Sequence, residues 1–96
     1  MKYSWDPEKS AANLRERGFD FLFATLIFDA PRLEKEDTRH DYGERRMITI
    51  GIADGITLTV VYTDRLDPEG QVVRRIISAR KSNRREREAY EEAVGS

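Results

Sequence analysis

Ninety-six residues leave room for one domain, and 39% apolar with 36% charged residues describes a charge-rich chain that still folds. The absence of cysteine excludes a disulfide framework, a thiolate zinc site and a thiol nucleophile. The net charge of −1 hides a separation: from Arg74 to Arg87 seven cations face one acid, a window of +6, so the remainder carries −7. Such a window is either a basic face for a polyanion or the solvated first turn of a helix.

Lys2 to Trp5 alternates charged and aromatic residues and reads as a short strand. Asp6-Pro7-Glu8 is a helix start: a capping carboxylate, a proline suited to the first turn, and an acid near the positive end of the dipole. The first helix is expected to reach Arg17, with Ala11 and Leu14 facing inward and Gly18 as its stop. Asp20 caps a second apolar segment, Phe21 to Phe28, in which Phe21, Ala24 and Phe28 share one helical face. Periodicity does not separate helix from buried strand here. The cap and the abrupt Asp29-Ala30-Pro31 end favour helix.

After Pro31 the pattern becomes alternating. Leu33 to Glu36 is a polar edge strand, and Asp37 to Gly43 is a loop. Arg46 to Ile52 and Ile56 to Thr63 form a hairpin about Ala53-Asp54-Gly55. A three-residue loop would pair Ile52 with Ile56, Ile50 with Leu58, Ile48 with Val60 and Arg46 with Tyr62. That register buries one apolar face, whereas a one-residue slip sets the isoleucines against Thr57 and Thr59. The first register is expected. Asp67-Pro68-Glu69-Gly70 is a turn, Val72 to Ala79 is the last strand, and Asn83 to Glu86 opens a helix reaching Val94. The order predicts an α+β fold: an N-terminal strand and two helices packed on a mainly antiparallel sheet, with a C-terminal helix, all in one domain over residues 1–96.

No run approaches the roughly 20 apolar residues of a membrane span, and the start lacks a signal-peptide apolar core. A cytoplasmic protein without membrane contact is expected. With His40 as the one histidine, a two-histidine site is excluded. His40 lies between arginines in a polar loop, where an imidazole can exchange a proton or simply be solvated. The arginines are the stronger signal, because guanidinium forks hold phosphate and balance its growing charge during cleavage. Arg45, Arg46, Arg65, Arg74, Arg75 and Arg80 adjoin strands; by alternation Arg74 and Arg80 share a face and Arg75 points away, unless Arg80 already belongs to the following loop, where parity does not fix its direction. Lone surface arginines are usually paired with acids for about 0–1 kcal/mol. Tyr42, Tyr62 and Tyr90 can stack on bases, although tyrosines on strands and helices more often pack. No phosphate-cradling glycine loop, nucleophile elbow or metal-ligand spacing is present.

These residues resemble the BrnT family of type II toxin–antitoxin ribonucleases nearly end to end. The resemblance is carried by Trp5-Asp6-Pro7, Asn13 with Gly18, Phe21…Ala24…Phe28-Asp29, Gly43-Glu44-Arg45, Tyr62-Thr63-Asp64-Arg65, Arg75-Ile76-Ile77-Ser78-Ala79-Arg80, Arg84-Arg85-Glu86 and Tyr90. It implies a RelE-like fold and metal-independent endoribonuclease activity, with no cofactor, that inhibits translation. It also implies a BrnA-like ribbon-helix-helix antitoxin forming a heterotetramer, through which alone operator DNA would be bound. Carried over by position, Arg45, Arg65, Arg75 and Arg80 are expected to hold phosphate and transition-state charge, with His40 and Tyr62 as proton-transfer candidates. Arg74, Lys81, Arg84 and Arg85 are expected to bind RNA. One departure stands out: members usually carry Lys-His before the glycine matched by Gly18, and this chain has Glu16-Arg17. An arginine supplies charge but no proton transfer at neutral pH. The alternatives are an inactive RelE-like protein that only binds an antitoxin, and a nucleic-acid module reading with its basic helix.

Overall fold

The computed structural model describes residues 1–95. Its order is β1 (Lys2–Ser4), α1 (Pro7–Arg17), α2 (Phe21–Ala24), β2 (Leu33–Glu36), β3 (Met47–Ala53), β4 (Ile56–Leu66), β5 (Val72–Lys81) and α3 (Arg84–Tyr90). The strands form one sheet in the order β1-β5-β4-β3-β2, antiparallel except for β1, which runs parallel to β5. This is the α+β class expected.

α1 starts and stops as its caps dictate. Asp6 accepts the Glu8 N–H at 2.9 Å, and Gly18 closes the helix at φ 86° with its N–H on the Leu14 carbonyl. Its inward face, however, is polar. Ala11 and Leu14 are exposed, while Ser10 and Asn13 are buried. Ser10 Oγ accepts the Phe21 N–H at 3.0 Å, and Asn13 Nδ2 donates to the Phe19 carbonyl at 2.9 Å. Buried polar groups persist when paired. Hydrogen bonds to the start of α2 replace the expected apolar contact.

Asp20 caps α2 through the Phe23 N–H at 2.9 Å. The single helix expected through Phe28 instead tightens into a 3₁₀ turn over Thr25–Asp29. Thr25 Oγ1 donates to the Leu22 carbonyl at 2.6 Å and competes with the regular ladder. Buried side chains then fall three apart, at Phe21, Ala24 and Ile27. Phe28 is displaced to a half-buried position between Tyr3 and Tyr62. Ile27 rests on Gly51 so closely that a Cβ at Gly51 would lie 2.9 Å from the Ile27 Cβ.

That approach explains the hairpin. Asp54 and Gly55 alone form the turn, at φ 48° and 79°, as a type I′ Asp-Gly turn does. The three-residue loop is therefore corrected by one residue. Ala53 pairs with Ile56, Gly51 with Leu58, Thr49 with Val60 and Met47 with Tyr62. Small residues of β3 sit under the helices while Leu58, Val60 and Tyr62 supply the bulk. Ile48, Ile50 and Ile52 lie on the opposite face with Val61, Thr59 and Thr57. That face is covered in part, since α3 contacts β3 and Ile50 is buried.

A bulge changes β5. Val61 pairs with Ser78 but Tyr62 with Ile76, which leaves Ile77 without a partner. Beyond it Thr63 opposes Arg75 and Asp64 opposes Arg74. Arg80, opposite Thr59, therefore shares a face with Arg75 and not with Arg74, the reverse of simple alternation. α3 carries the capping box of Asn83 and Glu86, with reciprocal bonds of 2.9 and 2.8 Å. It ends at Tyr90 and widens into a π-type turn over Glu91–Gly95, rather than continuing as an α-helix to Val94. The Tyr90 hydroxyl donates to the Pro31 carbonyl at 2.8 Å and fastens α3 ahead of β2.

Candidate functional site

The face of the sheet turned away from α1 and α2 gathers Arg39, Arg46, Arg65, Arg75, Arg80 and Arg85. A groove of about 560 Å³ runs along it, floored by Ile48, Ile50, Val61 and Ser78. Arg85 and Glu86 of α3 stand on one side, Arg39 on another, and Arg80 at the end nearest α3. Arg80 grips Glu86 through both terminal nitrogens, at 2.7 and 2.8 Å. That bond holds the Glu86 carboxyl down at about 2, helped by the Asn83 N–H and resisted by burial. Arg39 forms a matching fork with the buried Asp37 at 2.8 Å for each bond, and Asp37 also accepts the Tyr42 hydroxyl at 3.1 Å. The Arg39 side-chain bond is the main cause of a strongly lowered Asp37 pKa.

Farther along, where that face meets the start of α1, is a smaller cleft of about 190 Å³, lined by Asp6, Lys9, Glu44, Arg46, Arg65 and Arg75 among others. Glu44 bridges two guanidinium groups: Arg65 Nη2 donates to Oε1 at 2.7 Å and Arg46 Nε to Oε2 at 2.9 Å. Those bonds, Arg65 first, keep the Glu44 carboxyl below its ordinary pKa. Arg46 also stacks over the Tyr42 ring at 4.1 Å. Arg75 makes no ion pair among the described residues. Arg75 and Arg80 are four paired steps apart, about 13 Å along the strand.

The remaining candidates lie elsewhere. Arg74 is on the helix-covered face, its side chain only 12% exposed. It forks onto Asp64 at 2.9 and 3.0 Å and lies over the rings of Tyr62 (4.2 Å) and Phe28 (4.8 Å). Tyr62 is buried on that face and donates to Glu34 at 2.6 Å. Burial, then the Glu34 bond, pushes its pKa up to about 12. Arg45 is exposed, pairs with Glu36 at 3.1 Å and lines a separate depression with Met47, Tyr62 and Asp64. His40 is exposed in the 37–46 loop, its ring edge-on to Tyr42 at 5.7 Å. Arg84 pairs with Glu88 at 2.9 Å, and Lys81 lines a depression beside Leu14 and Phe23. Arg17, at the departure from the family pattern, donates to the Ala79 carbonyl at 3.1 Å and ties α1 to β5.

Of the four arginines expected to hold phosphate, Arg65, Arg75 and Arg80 thus share a face, in two neighbouring hollows. Arg45 lines a different depression. The same face adds Arg46, a strand-adjoining candidate that the resemblance left without a role, and Arg39 and Glu44, which carried none. A signal existed for Arg46, which has the same parity as Ile48 and Ile50. For Glu44 it was the Gly43-Glu44-Arg45 run.

A five-stranded sheet clad by α1 and α2 on one side and lined by arginines beside α3 on the other defines a small α+β domain with an anion-attracting face. A family model described as the ribonuclease toxin BrnT of type II toxin–antitoxin systems matches residues 5–86. The chain belongs to that family. No curated protein matches the chain significantly. A ribonuclease toxin of a type II system has RNA as substrate and an antitoxin as partner. No helix of the described residues is long and apolar enough to cross a membrane.

Proposed function

We propose that this toxin is an endoribonuclease that cuts RNA through the substrate's own 2′-hydroxyl, without a metal ion, on the arginine-lined face of its sheet. The single observation behind this reading is that Arg65, Arg75 and Arg80, from two strands, share that face with Arg39, Arg46 and Arg85. Such a row carries the attraction for a single strand and the balance of charge on a five-coordinate phosphorus. Arg75, free of acid partners among the described residues, takes the phosphate first. Arg65 and Arg80 exchange carboxylates for phosphate oxygens as RNA binds. Arg85 and Arg39 flank the bound strand, while Arg45, Lys81 and Arg84 contribute to the wider field. Arg74 and Tyr62 act as scaffold beneath the site. His40 is the one imidazole near the loop arginines.

In the cell, RNA cleavage would block translation in the cytoplasm. A BrnA-like ribbon-helix-helix antitoxin would hold the toxin in a heterotetramer, and it alone would read operator DNA. The test is cleavage of a labelled RNA by the purified chain in excess chelator. Cleavage that persists with chelator and falls in Arg75→Ala supports the reading. Cleavage only with added metal removes metal independence. A second reading, an inert domain that only binds an antitoxin, draws on the acids paired with Arg45, Arg65 and Arg80. Under that reading no condition yields cleavage, and expression without the antitoxin leaves growth unchanged.

A further inference from the structure

We infer that Glu44 is the general base of the cleavage reaction, an inference that rests on the metal-free function proposed above. Two carboxylates line the smaller cleft, and Asp6 is committed to the α1 cap through the Glu8 N–H. Glu44 is different. Each of its oxygens meets one guanidinium, and its side chain is 22% exposed, so a ligand can reach it. The third guanidinium of the cleft, Arg75, pairs with no acid among the described residues. Three guanidinium groups, the Lys9 ammonium and the uncommitted Glu44 carboxylate form a set that a phosphodiester can enter by exchange.

The exchange gives the carboxylate its activity. A phosphate entering beside Arg75 competes with Glu44 for Arg46 and Arg65, because guanidinium forks serve both kinds of oxyanion. As those bonds move to the phosphate, Glu44 loses the contacts that depress its basicity and becomes a better proton acceptor. Glu44 then takes the proton of the 2′-hydroxyl, and the 2′ oxygen bonds to phosphorus. The bond from phosphorus to the 5′ oxygen breaks, and that oxygen takes a proton from water. The products are a 2′,3′-cyclic phosphate and a 5′-hydroxyl end, and Glu44 returns its proton to solvent. The arginines carry the added negative charge throughout.

A carboxylate that merely spaces arginines would show itself in binding. A general base shows itself in turnover. The experiment compares the full chain with Glu44→Gln and Glu44→Asp on an oligoribonucleotide, and on its uncleavable 2′-O-methyl form for affinity. Glu44→Gln should lose about 10²–10⁴ in kcat while binding the 2′-O-methyl strand as tightly as the parent or tighter. It should also lose the acidic limb of the kcat–pH profile, and Glu44→Asp should retain that limb at reduced rate. Cleavage by Glu44→Gln within about threefold of the parent, or a loss carried wholly by KM, overturns the inference and leaves the ribonuclease function standing. A parent that cuts no RNA overturns both. Unfolding midpoints of the variants guard the comparison, and if Glu44→Gln does not fold, a Glu44→Asp variant that turns over as fast as the parent is decisive against the role.

Discussion

Arg75 and Arg80 face the same side of the sheet although five positions separate them along β5. Strict alternation would send them to opposite sides. The unpaired Ile77 resets the parity, so that Arg75 opposes Thr63 and Arg80 opposes Thr59, both on one face of β4. The same step places Arg74 against Asp64, under the helices. One extra residue in one strand therefore sorts three arginines into two that meet solvent and one that holds the fold together.

The sorted pair should be visible in the salt dependence of RNA binding. Each phosphate contact to a single strand contributes about 0.7 to the slope of log affinity against log salt. Arg75→Ala and Arg80→Ala should each weaken binding of the 2′-O-methyl strand and flatten that slope by about 0.7. Fluorescence anisotropy between low and moderate salt checks both.

Arg74→Ala should behave oppositely. It strips the acid partner from Asp64 and removes a guanidinium layered over Tyr62 and Phe28. We expect a loss of about 2 kcal/mol in urea unfolding, against less than about 0.5 kcal/mol for the acid-free Arg75→Ala. Equal losses for the two would mean that the bulge does not divide them.

Gly51→Ala tests the close approach that selects the hairpin register. Its new Cβ would lie 2.9 Å from the Ile27 Cβ and 3.3 Å from the Ile27 carbonyl oxygen. The second is backbone and cannot swing aside. Overpacking of this kind costs about 1–3 kcal/mol, and adding Ile27→Ala should recover little because alanine keeps both the Cβ and the carbonyl in place. Denaturant midpoints of the single and double variants give the answer.

Thr49 offers a gain. Its Oγ1 is buried without a hydrogen-bond partner among the described residues, a standing desolvation cost. Thr49→Val keeps the branched shape and removes the hydroxyl, and it should raise stability by about 1 kcal/mol. An unchanged or lower melting temperature would count against an unsatisfied hydroxyl there.

Glu86 sets an acid dependence. Its carboxyl titrates at about 2 in the folded protein, chiefly because Arg80 bonds to it, against about 4.3 in an unfolded chain. A carboxylate depressed by folding stabilises the protein above its unfolded pKa. That contribution fades as pH falls through about 4 towards the folded value. Glu86→Gln should be less stable than the parent at pH 7, with the gap closing as pH falls through that window. Unfolding midpoints measured across the window check the sign. A gap that widened in acid would sink the assignment.

Much of the fold was legible because its signals are local. Asp6, Pro7 and Gly18 bound α1, Asp20 starts α2 and Asn83 with Glu86 starts α3, each through bonds within a turn of chain. The strands lay where alternation placed them, give or take a residue or three at their ends. Alternation of the isoleucines points to a three-residue loop, but the Asp54-Gly55 pair prevails because its type I′ geometry is local and stronger. Isoleucines on one face announce burial but do not say which neighbour covers them. Here α3 covers part of that face, and Gly51 yields the other to Ile27.

Local chemistry along the chain thus determined where elements begin and end, the class of fold, and that arginines outnumber other candidates for holding an oxyanion. Only the tertiary structure decided which arginines share a face, which are spent on neighbouring acids, and that Glu44 stands between two of them. The reason is range. A cap or a turn closes over three or four residues, whereas a bulge, a close contact at glycine and a bridging carboxylate each depend on strands far apart in sequence being brought side by side.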